Sequence, residues 1–177
     1  QLTSAVEQVV KAALNKGNSK DDIQVLAPMY RGNAGINRLN TILQELLNPA
    51  KPRQKEVTFN EQIFRIGDRV LHLVNDPENN VFNGDIGKIV GINIPKTKKD
   101  KKGEQIIVDF DGNEVTFDKK DWINLTLAYC MSIHKSQGSE FPIVVLAMLP
   151  QYQRMFARNL LYTGITRAKQ KLVLLGN

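Results

Sequence analysis

Two periods of apolar residues run through this chain, and the change between them divides it. Leu2, Val6, Val9, Val10, Ala13 and Leu14 repeat at helical spacing and predict an amphipathic helix over residues 1–16. Ser4 and Glu7 are spaced for a capping box, and Gly17 is placed as the stop. Asp22–Met29 reads as a strand ended by Pro28. Tyr30-Arg-Gly-Asn-Ala-Gly35 is a glycine-bearing turn. After it, Ile36, Leu39, Ile42, Leu43, Leu46 and Leu47 describe a second helix closed by Asn48-Pro49.

The period then shortens. Residues 50–62 are polar and contain proline, which suits a linker. Phe64–Val74 mixes strand alternation with a Gly-Asp turn, and Asn83-Gly84 and Gly87 punctuate the next runs. Lys88–Ile94 alternates weakly, while 104–109 and 114–117 flank Asp111-Gly-Asn113, a hairpin signal. Short strands at this density predict a small β-barrel that ends near Trp122. From Leu125 the long apolar runs of a parallel sheet are expected again. They comprise Leu125–Tyr129, Pro142–Leu149, a helical region over 152–169 and a last strand over 171–176. The order is sheet, inserted barrel, sheet, an α/β fold.

Composition changes this picture little. With 177 residues, 42% of them apolar, the chain can form one α/β domain plus a small insertion. No apolar run approaches the roughly 20 residues of a membrane span. No basic segment precedes an apolar one at the N-terminus, so no secretory leader is expected. The chain opens directly on a helix, which reads as a boundary within a longer protein. Cys130 is the sole cysteine and reads as a buried core thiol, compatible with a reducing, cytoplasmic setting. The net charge of +6 leans towards anionic partners. The run Lys96-Thr-Lys-Lys-Asp-Lys-Lys102 forms a basic loop tip between two strands. It has two readings: solubility with protection of a sheet edge, or contact with nucleic acid.

Candidate chemistry gathers in three polar clusters beside strands: Tyr30-Arg31, Ser132–Glu140 and Thr163–Arg167. Open α/β sheets bind ligands at strand ends. Arginine forks suit phosphate oxygens, and a nearby glycine lets the backbone approach the same anion. Arg31 alone fits either an anion contact or a solvated loop residue. Two arginines with a Gly-containing turn are what charge stabilisation of a γ-phosphate needs. No Gly-x-x-x-x-Gly-Lys-Ser/Thr motif occurs, no strand ends in paired acids for Mg²⁺, and no zinc spacing or nucleophile elbow is present. His72 lies in an alternating strand and reads as a packed or surface histidine. Such a chain has anion contacts without a phosphate cradle and is expected to be inactive alone.

These residues also carry a resemblance. Ser132-Ile-His-Lys-Ser-Gln-Gly-Ser-Glu-Phe141 resembles motif V of superfamily-one DNA helicases, and Leu161-Tyr-Thr-Gly-Ile-Thr-Arg-Ala-Lys169 resembles their motif VI. Val25–Arg31 with Gly35–Asn40 resembles motif IV of the RecD/TraA group. Phe64–Val70 and Val81–Gly87 resemble the SH3-like barrel inserted in that group's second motor domain. The resemblance implies the C-terminal part of a RecD-like helicase: a RecA-like motor domain of the P-loop NTPase type, lacking the P-loop half and interrupted by the barrel. The implied segments are 1–62 and 124–177 for the motor domain and 63–123 for the insertion.

The implied activity is ATP-driven 5′-to-3′ translocation on single-stranded DNA with separation of the duplex ahead. Arg167 is implied as the arginine finger, Arg31 as a second γ-phosphate contact, and Tyr30 as lying against the adenine. Gln137, Gly138 and Glu140 are implied near the nucleotide, with Ser132, His134 and Lys135 towards the DNA backbone. The Mg²⁺ ligands and the P-loop lysine belong to the first motor domain, which is also the implied partner within the same protein. A recombination or repair complex of the exodeoxyribonuclease V type, with this chain as a non-nuclease subunit, is a further implied setting. The alternative from another class is a nucleic-acid-binding module that acts without ATP, resting on the basic barrel and lysine loop.

Overall fold

The computed structural model describes residues 2–28, 32–101, 103–147 and 168–175. These fall into two units, Gln1–Leu47 with Tyr129–Asn177, and Asn48–Ala128.

In the first unit, helix α1 (Leu2–Asn15) buries Val6 and Val10 and packs against the second helix and a core strand. Its end is a Schellman motif. The Gly17 N–H reaches the Leu14 carbonyl at 3.0 Å and the Asn18 N–H reaches Ala13 at 3.2 Å, with Gly17 at φ +93°. The expected capping box does not form, because the helix already includes Leu2 and leaves Ser4 in its interior. A 3₁₀ turn (Lys20–Asp22), capped by Ser19, leads into β1 (Ile23–Ala27), in which every residue is buried. A strand buried along its whole length suits the interior of a parallel sheet.

Helix α2 (Gly32–Leu47) begins four residues before the expected Ile36. Glycine weakens helices, so composition hides this first turn. Leu39, Leu43 and Leu47 form its buried stripe. Strands β9 (Cys130–Ser132), β10 (Phe141–Ala147) and β11 (Ala168–Leu175) complete a parallel sheet of order β11-β10-β1-β9. The helix expected over 152–169 falls outside the described residues up to 167, and Ala168 and Lys169 belong to β11.

The second unit contains a hairpin, β2 (Glu56–Phe59) and β3 (Gln62–Arg65), whose first strand and turn lie inside the 50–62 stretch expected to be a linker. Strands β4 (Arg69–His72), β5 (Ile86–Asn93), β6 (Gln105–Phe110), β7 (Asn113–Asp118) and β8 (Leu125–Leu127) form an antiparallel sheet of order β7-β6-β5-β4-β8. The β6–β7 turn puts Asp111 at φ 52° and Gly112 at φ 92°, the double left-handed conformation of a type I′ hairpin. Leu125–Leu127, expected in the parallel sheet, pairs antiparallel with β4 instead.

The core of this unit holds Val70, Ile89, Ile106, Val108, Phe117 and Trp122, whose indole N–H donates to the Phe117 carbonyl at 2.9 Å. His72 is buried against Phe110 and Phe117, with Nδ1 2.6 Å from the Val74 carbonyl. Gly87 is required for packing: a Cβ there would lie 2.5 Å from Val108 Cγ1 and 2.8 Å from Phe110 Cδ1. At the base of the hairpin, buried Asp68 accepts from Asn48 Nδ2 at 2.7 Å and from the Arg65 N–H at 2.6 Å. Arg65 in turn reaches Glu56 at 2.8 Å. Among the described residues no helix is long and apolar enough to cross a membrane.

Candidate functional site

The polar stretch from Ser132 to Glu140 connects β9 to β10 and, in doing so, runs from one edge of the parallel sheet to the other. The register fixes its span. Leu26 pairs with Met131 on one side and Leu146 on the other, and Ala27 pairs with Ser132. Ser132 therefore stands level with Ala147, six positions beyond Phe141, where β10 begins. At about 3.3 Å per residue, the two ends of the connection lie roughly 20 Å apart along the strands.

The connection leaves the C-terminal edge as a tight, self-bonded turn. The Ile133 N–H continues the sheet by donating to the Ala27 carbonyl at 3.1 Å, and Ile133 itself is buried. His134–Ser136 forms one 3₁₀ turn. The Lys135 N–H donates to Ser132 Oγ at 3.2 Å, and the buried Ser136 donates through Oγ to the Ile133 carbonyl at 2.6 Å. Ser132 is buried, so its hydroxyl shapes the turn and leaves His134 exposed and Lys135 half-buried at the same edge. Gln137, Gly138 and Glu140 are exposed further along. Gly138 has φ +86° with open space around its Cα, so it is there for conformation, not packing.

Two buried amides hold the start of this turn. β9 is an edge strand, so Cys130 has no neighbouring strand on its outer side. Asn40 of α2 takes that place. Its Nδ2 donates to the Cys130 carbonyl at 2.8 Å and its Oδ1 accepts from the Cys130 N–H at 2.8 Å. Gln24 of β1 donates to the Tyr129 carbonyl at 3.1 Å. Both side chains are fully buried. Neither stands out in the sequence: Asn40 looks like part of the solvated face of an amphipathic helix, and Gln24 is a lone polar residue within an apolar strand. Burial pushes the Cys130 thiol up from 9.0 to about 12, so it is an inert packing group.

Tyr30, Arg31 and Arg167 lie outside the described residues; Gly32 and Ala168, which follow Arg31 and Arg167 in the chain, are described. Pro28 continues β1 at the C-terminal edge, and Gly32, covalently next to Arg31, opens α2. Ala168, covalently next to Arg167, pairs with Phe141 at the N-terminal edge. The arrangement thus has two poles, one at Ser132–Lys135 and Pro28, the other at Glu140–Phe141 and Ala168. Among the described residues, no group of three or more His, Cys, Asp or Glu side chains could hold a metal.

Comparison with known proteins agrees with this architecture. Residues 39–110 match the ATP-dependent RecD-like DNA helicase SH3 domain, and residues 127–175 match the UvrD-like helicase C-terminal domain. The ATP-dependent RecD2 DNA helicase of Deinococcus radiodurans is 36% identical over 88% of this chain. The RecBCD enzyme subunit RecD of Haemophilus influenzae is 28% identical over 86%. The chain spans only 20% and 21% of those relatives' lengths. Among solved structures, Pif1 helicase from Bacteroides in complex with ADP-AlF3 and ssDNA superposes with a TM-score of 0.56 at 19% identity, over 89% of this chain and 41% of that one. Pif1 helicase from Candida albicans gives 0.55 at 19%, over 88% and 45%. At these identities the structural likeness speaks for the fold: a RecA-like parallel sheet interrupted by an SH3-like unit.

Proposed function

This chain belongs to the RecD-like family of superfamily-one DNA helicases, and from that premise we propose that it is the second motor domain of an ATP-driven translocase on single-stranded DNA. The observation that carries the reading is the connection from Ser132 to Glu140, which spans both edges of one sheet. Each end can serve a different ligand while a single hydrogen-bonded segment joins them.

The N-terminal edge, with Glu140 and Arg167, is assigned to ATP. Gln137 and Gly138 are assigned to that end, and Glu140 to the ribose. Arg167 supplies positive charge where negative charge develops on the γ-phosphate in the transition state. The C-terminal edge is assigned to DNA. Lys135 and His134 meet the phosphodiester backbone, and Ser132 positions them. Arg31, next to Gly32 where α2 opens, is assigned as a second contact to the γ-phosphate, and Tyr30 to the adenine.

Mg²⁺ accompanies ATP and is held by acids of the first motor domain, outside this chain. Closure of the cleft between the motor domains shifts the Glu140 end of the connection, and the rigid Ile133–Ser136 turn transmits that shift to the DNA grip. Backbone contacts of this kind are indifferent to base sequence and weaken with salt. Unwinding and 5′-to-3′ polarity belong to the whole protein.

The test is hydrolysis by the full-length protein. Arg167→Ala lowers DNA-stimulated ATP hydrolysis by about 10³- to 10⁵-fold and leaves single-stranded DNA affinity within twofold. Hydrolysis at the unmodified rate would overturn the finger assignment.

A further inference from the structure

We propose that the β5–β6 loop, together with Lys55 beside it, is a second phosphodiester-binding site, and that its occupant is duplex DNA. Residues 96–102 contain five lysines and one aspartate, so seven residues hold +4 of the chain's net +6. The basic character of the protein is therefore concentrated at one place. Lys96, Lys98, Lys99 and Lys101 are all exposed, and all lie within six residues of one another.

Edge protection does not account for them. Lysines commonly guard the edge strands of sheets, but β5 and β6 are interior strands, flanked by β4 and β7. The edges of this sheet are β7 and β8. The loop also borders a formed groove of about 430 Å³, lined by Lys55, Asn93, Ile94, Pro95, Lys96 and Thr97 among others.

A hydrogen-bonded ladder stiffens the groove's strand side. Asn93 Nδ2 donates to Gln105 Oε1 at 3.2 Å, and Gln105 Nε2 donates to Asp118 Oδ1 at 2.8 Å. One acid, Asp100, lines the groove among these cations; Glu104, next to Gln105, is paired with Lys119 at 3.6 Å. Asp100 turns the loop tip, its N–H donating to the Thr97 carbonyl at 3.2 Å.

The choice of duplex follows from what lines the groove. Sites for single strands use aromatic faces on which bases stack, and no aromatic residue lines this groove. Dense point charges on short spacing suit the ligand with the higher charge density, about one charge per 1.7 Å for duplex DNA. The second unit would then hold the duplex ahead of the junction while the C-terminal edge of the first unit follows the single strand. The choice of DNA as the polyanion rests on the proposed translocase function.

The experiment compares full-length protein with K96A/K98A/K99A/K101A and with the charge-preserving arginine substitutions at the same positions. Binding to a blunt duplex and to oligo(dT) is followed by fluorescence anisotropy across a salt series, and DNA-stimulated ATP hydrolysis is measured on the same samples. Each phosphate contact contributes about 0.9 to the logarithmic salt slope for duplex. The alanine variant is expected to be shallower on duplex by about 2 to 3.6, unchanged on oligo(dT), and restored by arginine. A duplex slope within 0.9 of the unmodified protein overturns the site, as does a loss confined to oligo(dT) or equal on both. Unchanged slopes with intact DNA-stimulated hydrolysis overturn the loop alone. Absence of stimulated hydrolysis in the unmodified protein overturns the translocase reading, whatever the slopes.

Discussion

Asn40→Ala is the most informative single change in the first unit. The side chain makes two hydrogen bonds of 2.8 Å with both backbone groups of Cys130, in a fully buried setting. Truncation leaves a buried N–H and a buried carbonyl without partners, each costing about 1–3 kcal/mol. The expected loss is thus about 2–6 kcal/mol, a large part of the roughly 5–15 kcal/mol that holds a domain folded. Urea denaturation followed by circular dichroism measures the loss, and amide exchange at Cys130 locates it.

Asn40→Asp gives an independent check through its pH dependence. The introduced carboxylate retains one acceptor for the Cys130 N–H but turns a second oxygen towards the Cys130 carbonyl. Burial and that repulsion raise its folded pKa above the unfolded value of about 3.9. A group raised in this way contributes stability below the unfolded pKa and loses it as pH rises through the folded pKa. Asn40→Asp should therefore be more stable at pH 4 than at pH 7, relative to the unmodified chain. A loss below about 1 kcal/mol in Asn40→Ala, or a pH-independent Asn40→Asp, would refute the view that this amide serves as the missing strand of β9.

Gly87→Ala brings a Cβ to 2.5 Å from Val108 Cγ1 and 3.0 Å from the Asp109 carbonyl oxygen. It should destabilise the second unit by about 1–3 kcal/mol, read as an earlier Trp122 fluorescence transition. Gly138→Ala meets no atom but must hold φ near +86°, so its cost should stay near 1 kcal/mol, visible in urea denaturation. The Cys130 thiol, pushed up to about 12 by burial, should resist thiol reagents at pH 8 in native protein and react only on unfolding. Native labelling at the rate of a free thiol would contradict its burial.

What the sequence made legible depended on whether local chemistry was specific to one answer. Gly17 and Asp111-Gly112 were readable because left-handed conformations select glycine, and both turns formed where expected. The β2–β3 hairpin was not readable. Its turn places Asn60 and Glu61 at φ 51° and 64°, and glutamate is a poor marker of that conformation. Leu125–Leu127 has the apolar character of a parallel core strand, yet pattern alone cannot say which sheet a short run joins. At the candidate site, the polar run 132–140 was evident, but its division between two edges of the sheet needed the register of β1, β9 and β10. The burial of Ser132, and the amides of Gln24 and Asn40 that support it, arise from tertiary packing that no local motif encodes.

The central claim is that one connection joins a DNA edge to a nucleotide edge. Its most direct test compares Lys135→Ala with Arg167→Ala in the full-length protein, measuring single-stranded DNA affinity and ATP hydrolysis at saturating DNA. A separation is expected: Lys135→Ala weakens DNA binding and retains hydrolysis once DNA saturates, while Arg167→Ala retains binding and loses hydrolysis. Loss of hydrolysis in both, with DNA affinity intact in both, would put Lys135 at the nucleotide and contradict the two-edge arrangement.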